Sequence, residues 1–254
     1  MSADGLGRRA AVHGTQLALA LLGLLAWQLA SGTLADPMLV SNPKEVWMQL
    51  VEWLEDGTLQ TATLNTLSVV GGGLLAGAAA GIAAGWAACL FRLVGRTVTP
   101  SLTVLFAIPK VALVPLFILW FGISYSERLL FTAAVVFFFM YFAAVEGVKA
   151  VPQALRNVML LTGASFWQQM RCLYCPASIG WLLGGCRVAV PYAFVAAVTA
   201  EVIASREGLG YLIKSSSAVL NPAGMFACIL VLMAVTAAAG VLVGKVEKWS
   251  RWHL

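Results

Sequence analysis

The 254-residue sequence is 61% hydrophobic and 11% charged, less than half the charged share of about 25% typical of a soluble domain, so it cannot cover a water-facing surface. Its formal charge of +5 does not signal nucleic-acid binding, because lysine and arginine collect on the cytoplasmic side of membrane proteins. Cys89, Cys172, Cys175, Cys186 and Cys228 are scattered through apolar sequence and form no disulfide framework. The two histidines, His13 and His253, stand near opposite ends and exclude a histidine-rich metal or haem site.

A helix needs roughly 20 apolar residues to cross the bilayer hydrocarbon, and six runs qualify: 15–35, 62–91, 98–121, 128–146, 177–203 and 222–244. The first follows Arg8 and Arg9 and is read as a span rather than a cleaved signal. Segment 36–61 holds one amphipathic helix, capped by Ser41 or Asn42, opened by Pro43 and stopped at Gly57. Its apolar stripe is Val46, Trp47, Leu50, Val51, Trp53 and Leu54, and its other face is acidic, so it is expected to lie on the membrane surface. It serves as a structural brace or as a docking surface for an outside partner.

The second run carries Gly73, Gly77, Gly81 and Gly85 at four-residue intervals. That spacing makes a smooth ridge for close approach of another helix. In the third run Lys110 lies between Pro109 and Pro115, which are predicted to kink the span. The fifth run contains Arg187 and, near its outer end, Glu201. Charges inside spans are costly and face the protein interior or a water-filled cavity. They are read either as snorkelling groups and structural ion pairs, or as a translocation path and gate formed by Pro109, Lys110, Pro115, Arg187 and Glu201 that favours an anion.

Segment 147–176 is long for a loop and has helical composition. Pro152 starts it and Pro176 is predicted to end it. Gly163-Ala164-Ser165 breaks it into two short helices, Ser165 capping the second. Phe166 and Trp167 suit a knob that inserts into a partner better than a solvated loop. With the N-terminus inside, the inner loops hold Arg8, Arg9, Arg92, Arg96, Lys149, Arg156, Arg171, Lys245, Lys248 and Arg251. The outer loops hold only Lys44, Arg128, Arg206 and Lys214. This asymmetry predicts cytoplasmic termini. The resulting class is an all-α integral membrane protein of about six transmembrane helices. Residues 1–61 form the first transmembrane helix and the outside amphipathic helix. Residues 62–254 form a core of five transmembrane helices with the loop 147–176.

No phosphate-binding loop of the GxxxxGK[ST] form is present. The lone CxxC of Cys172 and Cys175 lacks the further ligands zinc needs, and two terminal histidines assemble no catalytic triad. A membrane-embedded enzyme would need a clustered acid–base site, for which only Lys110, Arg187 and Glu201 are available.

The loop resembles that of the permease subunits of ATP-binding-cassette importers, whose pattern is Glu-Ala-Ala, three residues, Gly, nine residues, Ile-x-Leu-Pro. Gly163 matches the central glycine, and Pro176 stands where the nitrate/sulfonate/taurine branch closes. Gly163-Ala164-Ser165-Phe166-Trp167, the run PKVALVPLFILWFG (109–122) and the run AEVIASREGLGYLI (200–213) are similar to that branch. Asn157, Val158 and Met159 stand where the family has Glu-Ala-Ala, consistent with a divergent subfamily or one half of a heterodimer.

The resemblance implies a type I importer permease with a coupling-helix loop, placed multi-pass in a bacterial inner membrane and working by alternating access. It implies two cytoplasmic ATPase subunits, which hold the ATP and Mg, a second permease subunit, and a periplasmic or lipid-anchored substrate-binding protein. Asn157, Gly163, Ala164, Ser165, Phe166, Trp167 and Pro176 would couple to the ATPase. The chain itself would hold no cofactor and do no covalent chemistry. Its solute would be nitrate, a taurine-like sulfonate, a pyrimidine or an aromatic carboxylate. The alternative is an ATP-independent secondary transporter or channel, which would have no need of the knob-like loop and would often show internal repeats.

Overall fold

The computed structural model describes residues 40–251 continuously, together with residues 14, 15, 18, 19, 22, 23, 25–29 and 31. Much of the predicted first span, and both histidines, lie outside the described residues. The chain divides into two compact units, residues 1–60 with 212–230 and residues 61–211 with 231–254.

In the first unit, α1 (Pro43–Glu55) begins as its sequence dictates. The Glu45 N–H donates to Asn42 Oδ1 at 2.9 Å, Pro43 occupies the first turn, and Ser41 Oγ donates to Glu45 Oε2 at 2.8 Å. Gly57 closes it at φ +82°, the left-handed region glycine enters without penalty. The predicted apolar stripe is split: Val46 is buried, whereas Trp47 and Leu54 are exposed. The helix turns Gln49 and Trp53 toward the start of a later helix, where Asn221 Nδ2 donates to Gln49 Oε1 at 2.9 Å. Trp53 approaches Gly224 so closely that an added Cβ would lie 2.9 Å from its ring.

In the second unit, α2 (Thr58–Leu90) lays its glycine ridge on the helix Tyr125–Lys149. A Cβ on Gly73 would fall 2.5 Å from Thr132 Cγ2. One on Gly77, Gly81 or Gly85 would fall 2.4–2.6 Å from the carbonyl oxygens of Ala133, Phe137 or Tyr141. Only a residue without a side chain permits that backbone-to-backbone approach. Val69, Val136, Met140, Ala189, Ala193 and Ala197 close the core beside it.

The predicted third span, 98–121, is not one kinked helix. α3 (Arg92–Ala107) ends before Ile108, a 3₁₀ turn covers Lys110–Leu113, and α4 (Val114–Phe121) follows. The two limbs are bent by 96°. The cause is local: the ring of Pro109 drives Ile108 into extended backbone (φ −65°, ψ 133°) and stops α3. Pro115 does not kink a helix but sits in the first turn of α4, where its missing N–H costs nothing.

α5 (Tyr125–Lys149) is capped by Ser124 Oγ, which accepts from the Glu127 N–H at 3.2 Å. α6 (Gln153–Leu161) and α7 (Phe166–Gln169) form the predicted pair of short helices. The second does not end at Pro176. It passes through a π-helical turn, Met170–Tyr174, straight into α8 (Cys175–Ala204). Proline interrupts a helix by removing an N–H and crowding the carbonyl four residues back. The widened turn before Pro176, where the Cys175 N–H bonds five residues back to Met170 O, accommodates both effects. α9 (Leu209–Ala218) and α10 (Pro222–Arg251) complete the chain. Among the described residues, four helices are long and apolar enough to cross a membrane, or five if the bent pair counts as one span.

Candidate functional site

The elbow formed by α6 and α7 is built by paired capping motifs. Gly163, at φ +68°, ends α6: its N–H bonds Leu160 O at 3.1 Å, and the Ala164 N–H bonds Met159 O at 3.0 Å. This pair of bonds is a Schellman stop. Two residues on, Ser165 Oγ accepts from the Gln168 N–H while Gln168 Oε1 accepts from the Ser165 N–H at 2.7 Å, a capping box. Gln169 Nε2 further donates to Ala164 O at 3.0 Å. The bend is therefore specified by hydrogen bonds at consecutive residues.

Its inner side is tied down. Arg156 donates to Val148 O, and its guanidinium lies 5.8 Å from the Tyr174 ring. Asn157 makes no contact with another helix; its Oδ1 accepts from Gln153 Nε2 at 3.1 Å within α6. The other side is apolar and uncovered. Leu155, Val158, Leu160, Leu161, Phe166 and Trp167 are exposed, Leu161 at 87% and Trp167 at 78%. No residue of α6 or α7 is buried. Phe166 and Trp167 brace one another edge to face at 5.9 Å. Exposed apolar clusters of this kind mark interaction sites.

A second feature is an open groove of about 640 Å³ between α5 and α8. Phe139, Phe142, Trp181, Gly184, Val188 and Glu146 line it. Of the charged residues singled out in the sequence, none lines this groove. Lys110 bends back to its own chain: Nζ donates to Phe106 O at 2.7 Å and lies 4.0 Å over the Phe106 ring. The Arg187 side chain is 68% exposed and lies 3.6 Å from Glu247 Oε2 on α10. Lys110 and Arg187 share no partner among the described residues.

Glu201 has no exposed surface at all. Its carboxylate accepts from Thr66 Oγ1 at 2.9 and 3.0 Å and from the Gly210 N–H at 2.9 Å. Thr66 Oγ1 in turn accepts from the Leu209 N–H at 2.9 Å. Gly208 stands at φ +98°, and a Cβ there would fall 2.3 Å from Glu201 Cδ. This is a closed latch joining α2, α8 and α9. Beside it, Arg128 lies 4.0 Å from Glu207 Oε2. Sequence reasoning gave no site role to Thr66, Arg128, Gly208 or Gly210, although Arg128 stands among the outer-loop cations and both glycines lie in the family-like run 200–213.

Residues 73–252 match the family described as binding-protein-dependent transport system inner membrane component. The riboflavin transport system permease protein RibX of Chloroflexus aurantiacus is 30% identical, over 92% of this chain and 88% of its own. The formylaminopyrimidine transport permease protein ThiX of Halalkalibacterium halodurans is 28% identical, over 84% of each chain. The taurine transport system permease protein TauC of Escherichia coli is 28% identical, over 78% of this chain and 74% of its own. Among solved structures, an inward-facing form of the methionine ABC transporter MetNI superposes with a TM-score of 0.69 at 13% identity, covering 76% of this chain and 95% of that one.

Proposed function

The chain belongs to the binding-protein-dependent transport system inner membrane component family and is an importer permease for a small solute; from that premise we propose how it is driven and what it carries. The α6–α7 elbow is the docking knob for a cytoplasmic ATPase subunit. One observation carries this reading: Leu160, Leu161, Phe166 and Trp167 are exposed on a bend that two capping motifs hold rigid. Apolar surface held in a fixed geometry loses little further entropy on docking, which favours a partner interface over a solvated loop.

ATP and Mg then act on the partner, and this chain contributes shape and movement rather than bond chemistry. A second permease subunit faces the groove between α5 and α8, and a periplasmic or lipid-anchored binding protein delivers the solute at the opposite end of the bundle. This arrangement sets the elbow and both termini in the cytoplasm of a bacterial inner membrane. The solute class suggested by the relatives' names is a flavin, a substituted pyrimidine or a sulfonate. Lys110 is the cation placed to meet an anionic solute, because it sits at the break between α3 and α4, where a change in bend angle would move it. Arg187, more exposed, is the second cation of that path.

The test is co-purification. Leu161→Asp and Trp167→Asp alter exposed positions, so the permease should still fold and elute as wild type in detergent. Both should strip an ATP-hydrolysing subunit from the eluate and abolish solute-stimulated ATP hydrolysis. If both variants retain the ATPase at wild-type stoichiometry, the elbow is not the docking knob.

A further inference from the structure

We propose that the cleft of about 590 Å³ lined by Arg96, Lys149 and Arg156 is a binding site for a phosphate-bearing anion, and that its occupant is the head group of an anionic phospholipid. The cleft opens where three apolar helices end together. Cys89 stands one residue before the end of α2, Lys149 is the last residue of α5, and Arg96 lies in the second turn of α3. Arg156 enters from α6. Three cations thus converge from three elements, with the hydroxyl-bearing Thr99 and Thr103 of α3 on the same wall.

The charges are poorly neutralised. Arg96 has no ion pair or hydrogen bond among the described residues. Lys149 Nζ meets Glu146 Oε1 at 2.8 Å, but both side chains are at least half exposed, so that pair is weak. Arg156 is the most informative of the three. It is fixed by Val148 O and the Tyr174 ring, yet its Nε–H is buried and meets no acceptor. The guanidinium is thus held at the cleft wall with no carboxylate paired to it among the described residues. A phosphate in the cleft neutralises the surrounding cations.

The remainder of the wall decides which phosphate. Ala88, Pro100, Val145 and Val148 are apolar, so the cleft joins a cationic pocket to a greasy flank. A phosphodiester attached to acyl chains matches both, and basic pockets between transmembrane helices are known to take such head groups. Free inorganic phosphate satisfies only the cations. The proposal rests on the chain crossing a bilayer but not on which end faces the cytoplasm, nor on ATPase docking at the elbow.

The experiment uses the full chain with its co-purified partner subunits. It is placed in nanodiscs of phosphatidylcholine doped with phosphatidylglycerol, and the lipid retained after detergent exchange is identified by native mass spectrometry. Phosphatidylglycerol should be retained over phosphatidylcholine. Arg96→Gln removes a cation with no structural partner and should lower that retention about fivefold, the effect of one cation near an anionic surface, while Arg96→Lys should restore most of it. Arg156→Gln also loses the Val148 contact, so it is read only if the variant remains monodisperse. Inorganic phosphate is the second probe. If it protects the cleft and no lipid is retained, the anion site stands and the lipid assignment falls. Retention of the lipid only after the ATPase subunits are stripped from the complex means that a protein surface fills the cleft, which overturns the proposal. Equal retention of the two lipids, or no effect of Arg96→Gln on either probe, also overturns it.

Discussion

Thr66→Val tests the latch at its smallest joint. Valine has the shape of threonine, so packing at this buried position is kept and only the hydroxyl is lost. That hydroxyl donates to Glu201 at 2.9 and 3.0 Å and accepts from the Leu209 N–H at 2.9 Å. Its removal strands the amide of Leu209, on a residue 1% exposed, and takes the hydroxyl donor from a carboxylate with no solvent access, which keeps only the Gly210 N–H. Each buried group left unsatisfied costs about 1–3 kcal/mol, so the pair should cost about 3 kcal/mol or somewhat more. For a chain of this size, 2–4 °C of melting temperature per kcal/mol translates this into a drop of roughly 6–12 °C. The assay is thermal melting of the detergent-solubilised permease, followed by size-exclusion chromatography after a heat step. Glu201→Gln disrupts the same network, so the double variant should lose clearly less than the two single losses summed. A Thr66→Val melting point indistinguishable from wild type, or strict additivity with Glu201→Gln, would refute the latch.

Two further predictions concern packing and the path. Gly77→Ala places a Cβ 2.4 Å from Ala133 O, a backbone atom that cannot step aside, so α2 and α5 must separate at a cost of about 1–3 kcal/mol. Gly240→Ala on α10 meets nothing within 4 Å, and its melting curve should match or slightly exceed wild type; equal losses for the two variants would sink the ridge argument. Lys110→Met and Arg187→Met should leave the fold intact and lower uptake of an anionic solute by the reconstituted complex. Unchanged uptake in both variants removes these cations from the path.

Local chemistry was the legible part of this chain. Four glycines at four-residue spacing announced a close helix contact, and a close contact is what Gly77 and Gly81 make with the backbone of α5. Asn42, Ser165 and Gly57 were readable as caps and a stop because those roles depend on a few neighbouring residues. Direction was not readable. An apolar run has the same hydropathy whether it goes straight or turns, so the sequence predicts one kinked span over 98–121, whereas Pro109 breaks it and the two limbs bend by 96°. Pro176 misled for a related reason: its consequence depended on whether the preceding turn could widen to a π turn. Glu201 was visible as a charge in a span. Its donor Thr66 lies 135 residues away in an apolar run, and no local pattern links the two. Function divides in the same way. The aromatic pair Phe166 and Trp167 on an exposed bend is legible from composition, whereas the cationic cleft needed Arg96, Lys149 and Arg156 to be brought together by the fold.

Because the helix does not end at Pro176, Phe166 to Ala204 form a single rod of 39 residues, about 58 Å long at 1.5 Å per residue. Trp167 stands at one tip, and at the other Glu201 is bolted to Thr66 and Gly210. No loop interrupts the backbone between Trp167 and Glu201, so under the docking proposed for the elbow the two ends would move as one strut. Its geometry departs from a regular α-helix at the π turn Met170–Tyr174, and Pro191 lies inside α8, so the strut has two points at which it can bend.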